Sequence, residues 1–406
     1  MTRIPIGDFP IGQEERAAIN RVLDSGRITM GSEVRAFEEE FAAYMGTKHC
    51  VAVSSGTAAL MVGLRTLGVS KQFPFTIGAR VLVPALTFIA TANAVELAGF
   101  RVMFGDIEPE TMCLDPAEIA KTRTEMVLPV HLMGYGADME RIIAECTKHQ
   151  CTLVEDACEA HGTTVNGQKV GTFGAWGAFS FYIAHTVQAG ELGCLVTNSS
   201  EVATIARQLR SHGRACKCVQ CTRSTTGCPY LGDEMDRRFV SEYVGWNAKP
   251  NEFYAALARV QLKRVEENMM ARGLTRSLLR GDLEALVKDE LIEPFIRQAK
   301  SVPMAFPIIL KTPGYRDRVV AELERRGVEA RPLFGCIPTQ QPAYAGMWNE
   351  PRMKAVYEKR NCQPVLPVAE HYGADGFYVG CHQYLTAEQI DRMAGIIRDV
   401  ITEVVT

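Results

Sequence analysis

The chain has 406 residues, 47% of them hydrophobic and 22% charged, with a formal net charge of -3. That length allows two domains, each with a core, and the near-neutral charge argues against nucleic acid or an anionic membrane as a partner. No run resembles a signal peptide or is long enough to cross a bilayer, so a cytoplasmic location is the expectation.

Residues 13–46 show helical spacing, with Ile19, Val22 and Leu23, then Val34, Phe37, Phe41 and Tyr44. Short apolar runs then alternate with helical stretches. Runs 51–53, 80–84, 101–104, 126–130 and 152–156 predict buried strands of a wound, largely parallel sheet, joined by 178–182 and 193–197. Residues 212–245, rich in Cys, Gly, Arg and Thr, break that rhythm. A helix from about Pro250 to Arg272 follows. The expected division is a large domain over 1–255, containing a Cys-rich loop at 212–230, and a smaller α/β domain over 256–406. The smaller domain contains an apolar run at 304–310, a helix over 315–326 and a terminal helix from Thr386.

Several segments carry chemistry. Ser54-Ser-Gly-Thr-Ala-Ala-Leu60 follows a strand and opens a helix, where free N–H groups and Gly56 suit a phosphate and Thr57 adds a hydroxyl; an ordinary N-cap has the same composition. Asp156, at the end of a strand in Val154-Glu-Asp-Ala-Cys-Glu-Ala-His-Gly162, needs a partner there. A protonated pyridine nitrogen or a helix cap would each serve. Phe88 offers a ring for stacking on a flat heterocycle or for a core. His185 and Asn247, taken singly, are ordinary structural residues.

Thirteen cysteines, an odd number, are a poor fit to extracellular disulfides. Most of the scattered ones, Cys50, Cys113, Cys146, Cys151 and Cys194 among them, read as small buried apolar residues. Cys216, Cys218, Cys221 and Cys228 cluster tightly enough to require a chemical reason. Thiolates suit an iron–sulfur cluster or zinc, and these four alone could form a structural zinc site.

In order and spacing these segments, with Phe37–Gly46 and His131–Asp138, resemble the DegT/DnrJ/StrS family of sugar aminotransferases and their dehydrase relatives from about Ile11 to the C-terminus. The resemblance implies an α/β fold of the aspartate-aminotransferase type (fold type I of the pyridoxal-phosphate enzymes). It also implies a large mixed-sheet domain, a smaller C-terminal α/β domain, and a homodimer with active sites at the subunit interface. Carried over, Gly56, Thr57 and Ser180 hold the cofactor phosphate and Phe88 stacks on the ring. Asp156 pairs with the ring nitrogen, and Asn247 reaches the neighbouring subunit's phosphate. Glu159 replaces a glutamine that contacts the cofactor hydroxyl.

In Phe179-Ser-Phe-Tyr-Ile-Ala-His185, histidine stands where the transaminases have the lysine that holds pyridoxal phosphate covalently. This resembles the 3-dehydrase branch, as do Ala330–Gly335 and Gln341–Tyr344. The branch implies pyridoxamine phosphate as cofactor and His185 as base in removing the C-3 hydroxyl of a nucleotide-linked 4-keto-6-deoxyhexose. One dehydrase type, that of ascarylose biosynthesis, adds a [2Fe-2S] cluster fed by a flavin/iron–sulfur reductase. Its ligands carry over to Cys158, Cys216, Cys218 and Cys228, with Cys221 as an alternative for the last. Other readings remain open: a cluster-free dehydratase regenerated by glutamate, a sugar aminotransferase, or a non-catalytic binder with structural zinc. Leu192, where the family usually has glycine, departs from the pattern.

Overall fold

A computed structural model describes residues 3–73, 75–216, 239–296, 300–334, 337–344 and 366–406. The helical stretch at 13–46 is two helices, α1 (Gln13–Asp24) and α2 (Ser32–Met45). The chain turns between them at Gly26, which has φ +65°, a conformation only glycine adopts readily. Next come β1 (His49–Val53), α3 (Gly56–Val69), β2 (Arg80–Pro84), α4 (Ile89–Leu97), β3 (Arg101–Gly105), α5 (Ala117–Thr122), β4 (Met126–Val127) and α6 (Met139–His149). The collinear β5 (Thr152–Leu153) and β6 (Glu155–Asp156), the hairpin of β7 (Thr164–Val165) and β8 (Gln168–Lys169), β9 (Gly177–Ser180), β10 (Gly193–Thr197) and α7 (Ser200–Leu209) complete this part.

The strands form a mixed sheet in the order β3, β2, β4, β5 with β6, β9, β10, β1. β10 runs antiparallel to its neighbours and the rest are parallel. The Val130–Asp156 bridge and the bond from Val154 N–H to Val127 join its two halves. Both faces are covered, by α3, α4 and α7 among others, so strand interiors such as Val81-Leu-Val83 are fully buried, as a parallel sheet requires.

The helix expected from Pro250 is two, α8 (Glu252–Lys263) and α9 (Val265–Asp282), meeting at Arg264; α10 (Glu284–Lys288) follows. A second core contains Leu279, Phe306, Ile308, Leu323, Phe377 and Ile397. It forms where α9, α11 (Arg316–Arg325) and α13 (Ala387–Val405) pack around the antiparallel β11 (Ala305–Ile309), β13 (Gly376–Gly380) and β12 (Ala330–Pro332). α12 (Pro367–Asp375) leads into β13. Thr386 caps α13 through a capping box with Gln389, a local signal that defines a helix start.

Candidate active site

Strands β6 and β9 and the N-terminus of α3 point their ends into one cavity of about 730 Å³. Gly56, Thr57, Phe88, Asp156, Cys158, Glu159, Ser180 and His185 all line it, so residues scattered over 130 positions of sequence converge on one place.

The cavity wall at the start of α3 is built by close approach. A Cβ at Gly56 would stand 2.6 Å from the Ser180 Cβ and 3.0 Å from the Cys158 Sγ. One at Gly193, in the neighbouring strand, would meet the Ser55 carbonyl oxygen at 2.1 Å. These glycines let β9 and β10 press against the start of α3. The first N–H groups of a helix have no intrahelical acceptor and carry partial positive charge. Ser55 caps one of them, accepting from Ala58 N–H at 3.2 Å.

Asp156 is buried, and its carboxylate accepts from neutral donors, the Thr91 hydroxyl at 2.8 Å and the Cys158 N–H at 3.1 Å. Thr87 lies 2.9 Å from Thr91 and extends the chain of hydroxyls. Burial raises the Asp156 pKa against these hydrogen bonds, so the site favours a cation beside it. Glu159 accepts from Met133 N–H at 2.6 Å, and burial pushes its carboxyl up to about 7. Phe88, at the N-cap of α4, is 57% exposed on the cavity wall, facing Phe334 at a centroid distance of 6.3 Å. An aromatic ring left uncovered at the mouth of a cavity is available for stacking.

His185 is buried in the turn after β9, with Nδ1 2.8 Å from the Ser180 carbonyl. A carbonyl only accepts, so Nδ1 carries the proton and Nε2 keeps the lone pair. Burial lowers the imidazole to about 4, with the Ser180 carbonyl opposing the shift and the Arg272 guanidinium adding to it. His185 is therefore neutral near pH 7. Among the described lining residues there is no lysine.

These features fit a pyridoxal-type cofactor: a helix N-terminus for a phosphate, a buried carboxylate for a ring cation, and an open aromatic face. Asn247 lies outside the cavity, exposed, and accepts from Lys249 at 2.6 Å. Cys216 is half-buried away from the cavity lining, and Cys218, Cys221 and Cys228 lie outside the described residues. Cys158 does line the cavity, and burial beside Asp156 pushes its thiol well up, so without a bound metal it is a neutral thiol. Among the described residues no three His, Cys, Asp or Glu side chains are grouped to hold a metal. Of the scattered cysteines, Cys50, Cys113, Cys146 and Cys194 are buried as expected, and Cys151 is half-buried.

Sequence reasoning assigned nothing to Thr87 and Thr91, though their four-residue spacing beside Phe88 was a local signal. It also missed Tyr378, Met304 and Ile6, which reach the cavity from distant parts of the chain. Arg331 lines it too, paired with Glu329 at 2.9 Å.

The sheet order and this cavity define the fold of the pyridoxal-phosphate-dependent aminotransferases. The structure superposes on E. coli GDP-4-keto-6-deoxy-D-mannose-3-dehydratase with bound hydrated PLP with a TM-score of 0.81, at 27% identity over 98% of this chain and all of the other. The chain belongs to the DegT/DnrJ/EryC1/StrS aminotransferase family, which matches residues 10–398. It is 29% identical to GDP-perosamine synthase of Caulobacter vibrioides over 99% of both chains. It is 27% identical to the GDP-4-keto-6-deoxy-D-mannose 3-dehydratase of Yersinia pseudotuberculosis over 98% of this chain and 99% of that one. A synthase and a dehydratase therefore both match nearly the full length of the chain.

Proposed function

We propose that this protein is a pyridoxamine-phosphate-dependent 3-dehydrase of a nucleotide-linked 4-keto-6-deoxyhexose, with His185 as its base. The observation that carries the reading is a cavity wall with a neutral imidazole and, among its described residues, no lysine. Pyridoxamine phosphate, when bound, supplies an amine that condenses with the sugar ketone and a ring that accepts electrons released from its methylene.

The protein's part follows from its own groups. The N-terminus of α3 with Gly56, Thr57 and Ser180 holds the phosphate. Asp156, kept in place by Thr91 and Cys158 N–H, steadies positive charge at the ring nitrogen. Phe88 would cover one ring face, and Glu159 would face the ring hydroxyl. Nε2 of His185 would take a proton from the cofactor's methylene, the electron pair left behind expelling the C-3 hydroxyl, and would return that proton to the hydroxyl as water forms. General-base assistance of this kind contributes about 10²–10⁴ in rate. The proposal includes a homodimer in which Asn247 reaches the second copy's phosphate. It also includes a [2Fe-2S] cluster held by Cys158, Cys216, Cys218 and Cys228 and reduced by a flavin/iron–sulfur partner.

His185→Asn is expected to lower dehydration at least about 10²-fold while leaving pyridoxamine phosphate affinity within a few-fold. The tests are sugar-product analysis and cofactor titration by absorbance. Wild-type turnover in that variant would sink the assignment of the base.

A further inference from the structure

Four consecutive carbonyls of the turn that carries His185 are each held by a side chain. Gln188 donates to Ile183. Arg272 donates from Nη2 to Ala184 at 3.1 Å and to His185 at 2.9 Å. Asn268 donates to Thr186 at 3.2 Å. Asn268 and Arg272 stand one turn apart on α9 and are both buried, Arg272 completely.

Arg272 also reaches across to the smaller core. Its Nη1 donates to the carbonyls of Met304 at 2.9 Å, Pro303 at 3.2 Å and Cys381 at 3.4 Å, and its Nε to Gln383 Oε1 at 2.8 Å. Gln383 in turn donates to Gln188 at 3.2 Å, which closes the network around the turn. Among the described residues no carboxylate pairs with Arg272. A buried guanidinium facing only neutral acceptors is costly, and apolar packing often stabilises as well or better. What apolar packing cannot do is fix the direction of several peptide units at once. The planar fork of arginine does this, because its donors leave in fixed directions.

Orientation of these peptides decides where the His185 Cα–Cβ bond points. The ring itself is buried, with Nδ1 on the Ser180 carbonyl and with His161 and Tyr182 packed at 6.1 and 6.0 Å between centroids, so its place follows the backbone that carries it. We propose that Asn268 and Arg272 form a clamp on α9 that positions His185 for proton transfer, an assignment that rests on the reading of His185 as the base. They are positioning residues, since they touch the turn and line no part of the cavity.

The test compares Asn268→Ala and Arg272→Lys with the wild-type protein loaded with pyridoxamine phosphate. Lysine keeps the charge and loses the fork. For a base displaced by a fraction of an ångström, kcat for dehydration falls about 10–100-fold, while KM and cofactor affinity stay within about threefold. The independent readout is ¹⁵N NMR of the histidine rings, with His185 identified by the signal lost in His185→Asn. The clamp predicts one Nδ1–H form for His185 in the wild type and a mixture of forms in both variants. Unchanged kcat and an unchanged His185 ring signal in Asn268→Ala overturn the clamp. Should Arg272→Lys fail to fold, Asn268→Ala alone decides. A wild-type protein without dehydration activity would sink the functional reading, and the ring signals would still judge the clamp.

Discussion

His185 and Glu159 share one cavity, and burial moves them in opposite directions along the pH axis. His185 is lowered to about 4 and Glu159 raised to about 7, because desolvation penalises whichever form carries charge. His185 therefore stays a free base throughout the neutral range, and Glu159 is the group that titrates there. Between its ordinary 4.5 and about 7, the folded protein keeps a proton on Glu159 that the unfolded chain has released. That stabilisation is complete below 4.5 and is lost as pH rises through 7. His185, lowered to about 4, acts the other way and gains stability as pH rises towards 6.5. The Glu159 contribution is therefore read as a difference between two proteins: from pH 5 to pH 8 the cofactor-free Glu159→Gln variant is expected to gain thermal stability relative to the wild type. Melting curves of both proteins at the two pH values check this, and parallel changes in the two would contradict it.

Among the elements, α2 starts in an unusual way. Its N-cap is Gly31, which has no side chain to cap with. Glu252, the first residue of α8, supplies the cap from 221 residues beyond Gly31, accepting from the N–H groups of Gly31 at 2.7 Å, Glu33 at 2.8 Å and Val34 at 3.0 Å. Helix starts leave such donors unpaired, and a carboxylate there also meets the positive end of the helix dipole. Glu252→Ala leaves buried donors without partners and is expected to cost about 1–3 kcal/mol. Hydrogen exchange localises the effect: the first turn of α2 should lose protection first, and uniform loss across the protein would contradict the cap. The neighbouring elements show how much was legible. β2, β3, β10 and the terminal helix from Thr386 stood out in sequence because apolar runs and helical periodicity are local. The break between α1 and α2 and the one at Arg264 did not, since apolar spacing continues across a kink.

Across the whole molecule, the cavity exists because α3, β6, β9 and the smaller core meet at one end of the sheet. The proposed cluster also depends on a long-range meeting, of Cys158 with the Cys-rich loop. Anaerobically purified protein should show broad sulfide-to-iron absorption and about two irons per chain, as this cluster type requires, and Cys218→Ser should bleach it. Zinc without iron, or no metal, would sink the cluster and favour glutamate-coupled dehydration.

Legible in the sequence were the wound α/β order, the helix start at Gly56, Asp156 at a strand end and a histidine at position 185. Each of these is written within a few consecutive residues, where strand period, capping and motif spacing act. Tertiary structure alone decided that Thr91 orients Asp156, that Glu252 caps α2, and that Asn268 and Arg272 hold the turn of His185. Those contacts join residues 65 to 221 positions apart. Such a pairing is set by how whole elements pack, and no local pattern in the chain encodes it.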